Sequence, residues 1–183
     1  MRIIAGAWRG RAIEAPAGTG TRPTSDRARE GLFSMLTSRL GTFEDLKVAD
    51  LFAGTGSYGL EALSRGAAGC TFVENDRNAI DALRRNVAKL DAGDRADVRA
   101  QDATRIAGGP FDLVFLDPPY GSGLGETAIA QLVASKALAA GCLVALETGR
   151  GEHATIAGLA ELANRTYGKA RIRILRKGVE DRG

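Results

Sequence analysis

Asp117-Pro118-Pro119-Tyr120 is the stretch whose residue types and spacing speak most directly of chemistry. It follows Phe111–Leu116, a mostly apolar run of β-formers that reads as a buried strand. Proline cannot donate to a ladder and restricts the residue before it, so the strand must stop there. The result is a stiff turn at the carboxyl end of a strand, presenting an Asp side chain and backbone carbonyls without neighbouring donors. Such a turn suits a planar amine with two N–H donors: Asp117 accepts one hydrogen bond and the Pro118 carbonyl the other. Pro119 stiffens the turn, and Tyr120 offers an aromatic face on which a base can stack. The plainer alternative is a polar strand end followed by a proline turn.

A second constellation is Gly54-x-Gly56-x-x-Gly59, placed after one strand and before a helix, with Glu74 twenty residues beyond Gly54. Nicotinamide and S-adenosylmethionine enzymes both need this close backbone approach and a carboxylate for ribose hydroxyls. Three features favour S-adenosylmethionine. Asp50 lies inside the strand before the loop, where it would attract an ammonium and repel a pyrophosphate. Asp102, at the end of a later strand, can accept from an adenine amino group. The chain also has no room for a separate dehydrogenase substrate domain.

These residues need a scaffold of alternating strands and helices. The patterns predict strands at Leu46–Phe52, Cys70–Glu74, Ala96–Ala100, 111–116 and 142–147, the last ending at Glu147. Helices are expected from the glycine loop to Gly66, over Asp76–Leu90 with Ile80, Leu83 and Val87 inward, and around 125–139. This succession argues an α/β fold with a doubly wound, mainly parallel sheet whose ligands bind beyond the carboxyl ends of the strands. Leu162–Tyr167 and Ala170–Leu175 surround Gly168-Lys169 as an antiparallel hairpin, with Arg171, Arg173 and Leu175 on one face. Before the sheet, residues 2–13 suggest a small β-hairpin containing Trp8. Ser25 or Thr24 then caps a helix with Ala28, Leu32, Met35, Leu36 and Leu40 on one side. The expected division is an N-terminal extension, 1–40, and a main domain, 41–183.

With 44% hydrophobic and 26% charged residues, the chain has material for one sizeable core. It contains no apolar run of membrane-spanning length, and its N-terminus lacks a signal peptide's features, so a cytoplasmic protein is expected. Cys70 and Cys142 fall in apolar strands and read as buried thiols, and the single His153 leaves little material for a histidine metal site or a Ser-His triad. No metal is expected. The net charge of +3 conceals a segregation: +3 over residues 1–30 and +6 over 165–177 flank a middle, 31–164, of −5. Two basic ends around an acidic body suggest a polyanion footprint. Arg9, Arg11, Arg22, Arg27 and Arg29 are expected to line the approach to Tyr120, with the 165–177 cluster secondary.

Asp50-Leu51-Phe52-Ala53-Gly54-Thr55-Gly56 together with Asp117-Pro118-Pro119-Tyr120 resembles the amino-methylating branch of class I methyltransferases. The N-terminal Arg2-Ile3-Ile4-Ala5-Gly6 with Trp8-Arg9-Gly10-Arg11, then Arg22-Pro23-Thr24, Asp26-Arg27 and Arg29-Glu30, resembles a narrower group, the RsmD-type 16S ribosomal RNA guanine-N2 methyltransferases. The resemblance implies a seven-stranded Rossmann-like sheet finished by an antiparallel hairpin. It implies a monomer that uses S-adenosylmethionine to methylate guanine 966 of 16S ribosomal RNA within a partly assembled 30S particle. Asp50, Gly54, Gly56, Glu74 and Asp102, with their neighbours Phe52, Asn75 and Ala103, make up the expected cofactor contacts. The same turn would serve an adenine-N6 or a glutamine methyltransferase. A nicotinamide-dependent oxidoreductase and a non-catalytic RNA-binding assembly factor are the alternatives from other classes.

Overall fold

The computed structural model describes residues 1–16 and 25–179; Arg22 and Thr24 lie outside them. Helix α1 (Asp26–Leu40) begins at Ser25, whose hydroxyl accepts from the Ala28 amide at 3.1 Å, and stops at Gly41 with φ +75°. Then come β1 (Lys47–Leu51), α2 (Ser57–Ser64), β2 (Gly69–Glu74), α3 (Arg77–Lys89) and β3 (Ala96–Ala100). The chain continues through β4 (Phe111–Leu116), α4 (Leu124–Ala134), β5 (Leu138–Gly149), β6 (Leu159–Tyr167) and β7 (Ala170–Lys177). Asp76 caps α3 through its side chain, taking the Ala79 amide at 2.8 Å.

The seven strands form one sheet in the order β3-β2-β1-β4-β5-β7-β6, parallel from β3 to β5, with β7 antiparallel to both neighbours. Alternation along the strands sorts side chains into two layers. Val48, Cys70, Phe72, Leu113, Phe115, Leu143 and Ala145 join α1, α2 and α3 in one core. Ala49, Leu51, Val73, Val114, Leu116, Val144 and Leu146 pack with α4 in the other. Cys70 and Cys142 are both buried and unbridged. The 125–139 helix expected from sequence is shorter, and β5 starts earlier. Lys136 takes φ +56°, and Phe111 donates its amide to Ala137 at 2.7 Å, pulling an alanine-rich stretch into the sheet. Pairing with β4 overrides helix propensity there.

Residues 2–13 double back through a single antiparallel bridge, Arg2 to Ala12, flanked by Ile3 donating to the Arg11 carbonyl and Gly10 to the Ile3 carbonyl, both at 2.9 Å. The tip of this turn lies at the base of the sheet, beside the strands' amino ends, while its open end reaches toward the glycine loop. There Asn86 of α3 accepts the Glu14 amide at 2.8 Å and donates to the Glu14 carbonyl at 3.0 Å and the Thr55 carbonyl at 3.1 Å. Helix α2 runs from the glycine loop down to Ser64, and there the Ala7 amide donates to the Ser64 carbonyl at 2.8 Å and the Trp8 amide to its hydroxyl at 3.0 Å. The Arg95 guanidinium, just before β3, covers the Trp8 ring at 5.1 Å, and Arg11 donates to the carbonyl of Lys89, the last residue of α3. Trp8 is therefore a packing anchor.

At the far edge, Gly168 adopts φ +59°, the positive value that a II′ hairpin turn asks of its first central residue. The hairpin tip lies level with the carboxyl end of β5: Gly149 pairs with Ala170, and the Arg150 amide donates to the Lys169 carbonyl at 2.8 Å. Helix α1 descends along this edge from rim to base. Gly31 lies against Tyr167, where a Cβ would come within 2.2 Å of the hydroxyl, while Arg39 donates to the Leu162 carbonyl at 3.4 Å. Arg171 and Arg173 fasten the β5–β6 connection by donating to the carbonyls of Glu152 at 2.8 Å and Ala154 at 2.6 Å.

Candidate active site

Every one of the five parallel strands delivers a carboxylate at or near its carboxyl end: Asp50 from β1, Glu74 from β2, Asp102 after β3, Asp117 after β4 and Glu147 from β5. The period of two explains why four of them meet. Asp50 follows Val48, Glu74 follows Phe72, Asp117 follows Phe115 and Glu147 follows Ala145, so all four continue the sheet face covered by α1 and α2. Register agrees, since Asp50 pairs with Phe72 on one side and Phe115 on the other. Leu116 pairs with Leu146, so Asp117 and Glu147 follow at matching positions on adjacent strands.

The acids are held, not merely gathered. Asp50 is buried and accepts the Gly59 amide at 2.9 Å. Burial pushes its carboxyl well above the usual range; the Gly59 bond opposes this, and the charges of Asp117 and Glu74 add to it. Glu74 accepts from the Gly54 amide at 2.9 Å with one oxygen and from the Asn75 and Asp76 amides at 2.8 and 2.9 Å with the other. It thereby ties the glycine loop to the start of α3. Asp102 accepts from the amide and hydroxyl of Thr104, both at 2.8 Å, which draw its carboxyl below the ordinary value. Its neighbour Ala103 is buried in the second core.

Between these acids the chain makes room for a ligand. Phe52, a non-glycine residue, takes φ +59°, an energetically costly conformation that recurs at functional loops. Gly54 (φ +56°) opens onto space, with nothing within 4 Å of the position a Cβ would occupy. Gly56 (φ +82°) caps α2, and a Cβ there would come within 2.4 Å of Leu83. A backbone bared at Gly54 and ringed by carboxylates fits a cationic, hydroxyl-bearing ligand. S-adenosylmethionine, with its ammonium, sulfonium and ribose, has that chemistry.

The proline turn faces this loop. The Asp117 amide donates to the Leu51 carbonyl at 3.4 Å, tying the turn to the end of β1. Pro118 is buried against the first turn of α4, 3.1 Å from where a Cβ of Gly125 would stand. The exposed Pro119 has its carbonyl engaged by the Ser122 hydroxyl at 2.6 Å and amide at 3.3 Å. Tyr120 is half-buried and donates its hydroxyl to Glu147 at 2.7 Å, while Tyr58 donates to the other oxygen of Glu147 at 2.8 Å. Sequence reasoning did not assign Tyr58 or Glu147 to the site. The signals were available: Glu147 sits two residues beyond the inward-facing Ala145, and Tyr58 lies within the glycine motif itself.

The arginines expected around Tyr120 separate into three groups. Arg9 and Arg11 are exposed but at the base of the sheet, so they do not line the approach to Tyr120; their turn is anchored to the far end of α2. Arg29 is 1% exposed, donates to the Arg2 carbonyl and pairs with Asp26 at 3.3 Å, a buried tether and not a surface group. Arg27 is exposed in the first turn of α1, one turn above Gly31 and hence near the hairpin tip, where Lys169 and Arg150 are also exposed. Arg22 lies outside the described residues.

Strand order, antiparallel finish and acid-rimmed glycine loop define a class I methyltransferase fold. Residues 1–176 match the family model described as conserved hypothetical protein 95, and the chain belongs to that family, the RsmD family of the sequence resemblance. The chain is 43% identical over 150 residues to ribosomal RNA small subunit methyltransferase D of Escherichia coli K12, covering 81% of this chain and 74% of that protein. The Haemophilus influenzae protein of the same name is 40% identical over 154 residues, with 81% and 78% covered. Among solved structures, yhhF of Escherichia coli superimposes with a TM-score of 0.86 at 37% identity, covering 98% of this chain and 99% of that one.

Proposed function

We propose that the chain transfers a methyl group from S-adenosylmethionine to the exocyclic N2 amine of one guanine in 16S ribosomal RNA, acting as a cytoplasmic monomer on a partly assembled 30S particle. Family membership and the names of its relatives support ribosomal RNA as the substrate class. The observation that carries the chemistry is the register that sets Asp117 beside the Glu147–Tyr120 pair and across from the Asp50–Glu74 loop.

In this reading Asp50, Phe52, Gly54, Gly56, Glu74, Asn75, Asp102 and Ala103 hold the cofactor. S-adenosylmethionine, when bound, supplies an electrophilic methyl group on a sulfonium. Guanine N2 is a poor nucleophile because its lone pair is delocalised into the ring. Asp117 and the Pro118 carbonyl would each accept one N–H of the amine, favouring a pyramidal nitrogen whose lone pair points away from both acceptors. The same two acceptors would stabilise the positive charge that grows on nitrogen as the nitrogen–methyl bond forms and the methyl–sulfur bond breaks to leave a neutral thioether. The nitrogen, acidic once methylated, then gives up one of its protons. Alignment supplies much of the remaining rate. The base must leave its stack at a cost of a few kcal/mol, and stacking on Tyr120 would offset part of it.

For the RNA, the exposed Arg27, Arg150 and Lys169 around the hairpin tip are the groups we favour. Arg150 follows Gly149, which lies against the Tyr120 ring, Lys169 is bonded to Arg150, and Arg27 is one turn from Gly31, itself against Tyr167. Within residues 1–40, the start of α1 reaches this rim.

Asp117→Ala tests the mechanism. S-adenosylmethionine affinity should stay nearly intact while methyl transfer falls by roughly a hundredfold or more, as expected when a transition-state acceptor is removed. If turnover survives and only RNA affinity drops, Asp117 positions RNA and the mechanism is wrong. Mass spectrometry of 16S RNA from cells lacking the gene should show one N2-methylguanine missing.

A further inference from the structure

We infer that Glu147 is a positioning residue for the proposed transfer: together with Tyr58 it fixes the Tyr120 ring in advance as one wall of the target-base pocket. The inference rests on the reading of Tyr120 as the stacking partner of the base. It adds two residues to which the sequence motifs assign no role.

The geometry is a three-residue bridge. Glu147 is 5% exposed in β5, and its oxygens take the hydroxyls of Tyr58 at 2.8 Å and Tyr120 at 2.7 Å. Tyr58 is itself immobilised: buried in α2, its ring stacks on Phe115 of β4 at 5.3 Å with planes 16° apart, and Phe33 of α1 packs on Phe115 at 5.5 Å. The carboxylate therefore sits between one tyrosine locked in the core and one carried by the proline turn. The Tyr120 ring also lies against the backbone of β5, since a Cβ on Gly149 would come within 3.3 Å of its Cδ2. Held at its hydroxyl and along its edge, the ring gives up rotational freedom before any ligand arrives. An aromatic wall ordered beforehand loses less entropy on binding and keeps the base in line.

An apolar side chain at position 147 would continue the Leu143–Ala145 face without difficulty, and a buried carboxylate is tolerated only where donors meet it. Here tyrosine hydroxyls from two elements meet it, and one of them belongs to the proline-turn motif. Glu147 acts through Tyr120 and does not touch the substrate itself.

The test compares Tyr120→Phe, Glu147→Ala and the double variant. Tyr120→Phe keeps the ring and removes only the hydroxyl. We expect kcat on 30S particles to fall about tenfold in each single variant, the scale of removing one bond to a charged group. S-adenosylmethionine affinity should stay within about twofold in Tyr120→Phe, which leaves the Tyr58–Glu147 bond and the glycine motif as they are. The double variant should be no worse than the poorer single, since both remove the same bond. An unchanged kcat in Tyr120→Phe, or single losses that multiply in the double, would overturn the inference.

A second readout needs no substrate. Of the three tyrosines, the ring carbon signals of Tyr58 and Tyr120 should both move in Glu147→Ala while Tyr167 stays put. Stationary Tyr58 and Tyr120 signals would also refute the bridge. A wild-type protein that transfers nothing to RNA would defeat the proposed function instead, and the spectra would still decide the bridge. If Glu147→Ala does not fold, Tyr120→Phe decides alone.

Discussion

In the proposed reading, Asp50 is one side chain that couples cofactor, fold and pH. Its carboxyl is raised by burial first, and then by the charges of Asp117 and Glu74. A raised acid favours the protonated form, so its contribution to stability is full below the ordinary carboxylate value. That contribution is lost as pH rises through the folded-state value. A bound ammonium has the opposite preference, since it needs the ionised carboxylate. S-adenosylmethionine affinity should therefore increase as pH rises through the same window, with release of a proton, and Asp50→Asn should flatten the profile. Calorimetry across that range checks it; equal slopes in the two proteins would remove Asp50 from the cofactor site. At this scale the sequence was informative about place: Asp50, Gly54 and Asp117 stand where the motifs put them, at or just beyond the carboxyl ends of β1 and β4. It was silent on Glu147 because the partners of that carboxylate come from positions 58 and 120, and only strand register brings the three together.

Among the elements, β4 was legible because a buried parallel strand must be an apolar run, and it falls where the pattern puts it. β3, an edge strand with no buried residue, also falls at its expected bounds although ADVRA is no apolar run. The N-terminal turn was legible as a turn but not as a location, for its anchor is 57 residues away. Glu61 of α2 is wholly buried and accepts from the Ile4 amide at 2.7 Å, the Ala5 amide at 3.0 Å and the Arg65 guanidinium at 2.9 Å. Those three donors are left without their acceptor together in Glu61→Ala, which should cost about 3 kcal/mol, the scale for breaking a buried ion pair by removing one partner. Glu61→Gln should lose less, because its carbonyl oxygen can still accept one amide. Chemical denaturation measures both. Wild-type stability in Glu61→Ala would mean that the turn is held by its other anchors, the Ser64 bonds and the apolar side chains Ile3 and Ile13.

Across the whole molecule, the segregation of charge was readable in the sequence and its orientation was not. Two basic ends and an acidic middle are counts along a line; the fold decides which end meets the catalytic rim. The N-terminal turn with Arg9 and Arg11 goes to the base, Arg29 goes inside, and Arg171 and Arg173 are drawn off to hold the β5–β6 connection. Arg27, Arg150 and Lys169 remain exposed at the rim, beside a cluster of carboxylates that would repel RNA. If they neutralise phosphates, replacing all three by Ala should weaken RNA binding and flatten the dependence of log affinity on log salt. The expected change in slope is about 0.7–0.9 for each phosphate no longer neutralised. Cofactor affinity should be unchanged, because none of the three belongs to the glycine loop. The pair Arg9→Ala and Arg11→Ala supplies the contrast, with two positive charges removed from the opposite end of the strands. Its salt slope should match the wild type if RNA approaches by the rim alone. Binding curves at several salt concentrations for the three proteins give the answer. A flattened slope in the Arg9 and Arg11 variant beside an unchanged slope in the rim variant would send the RNA around the base of the sheet and leave Tyr120 to be reached by a base flipped from a strand held elsewhere.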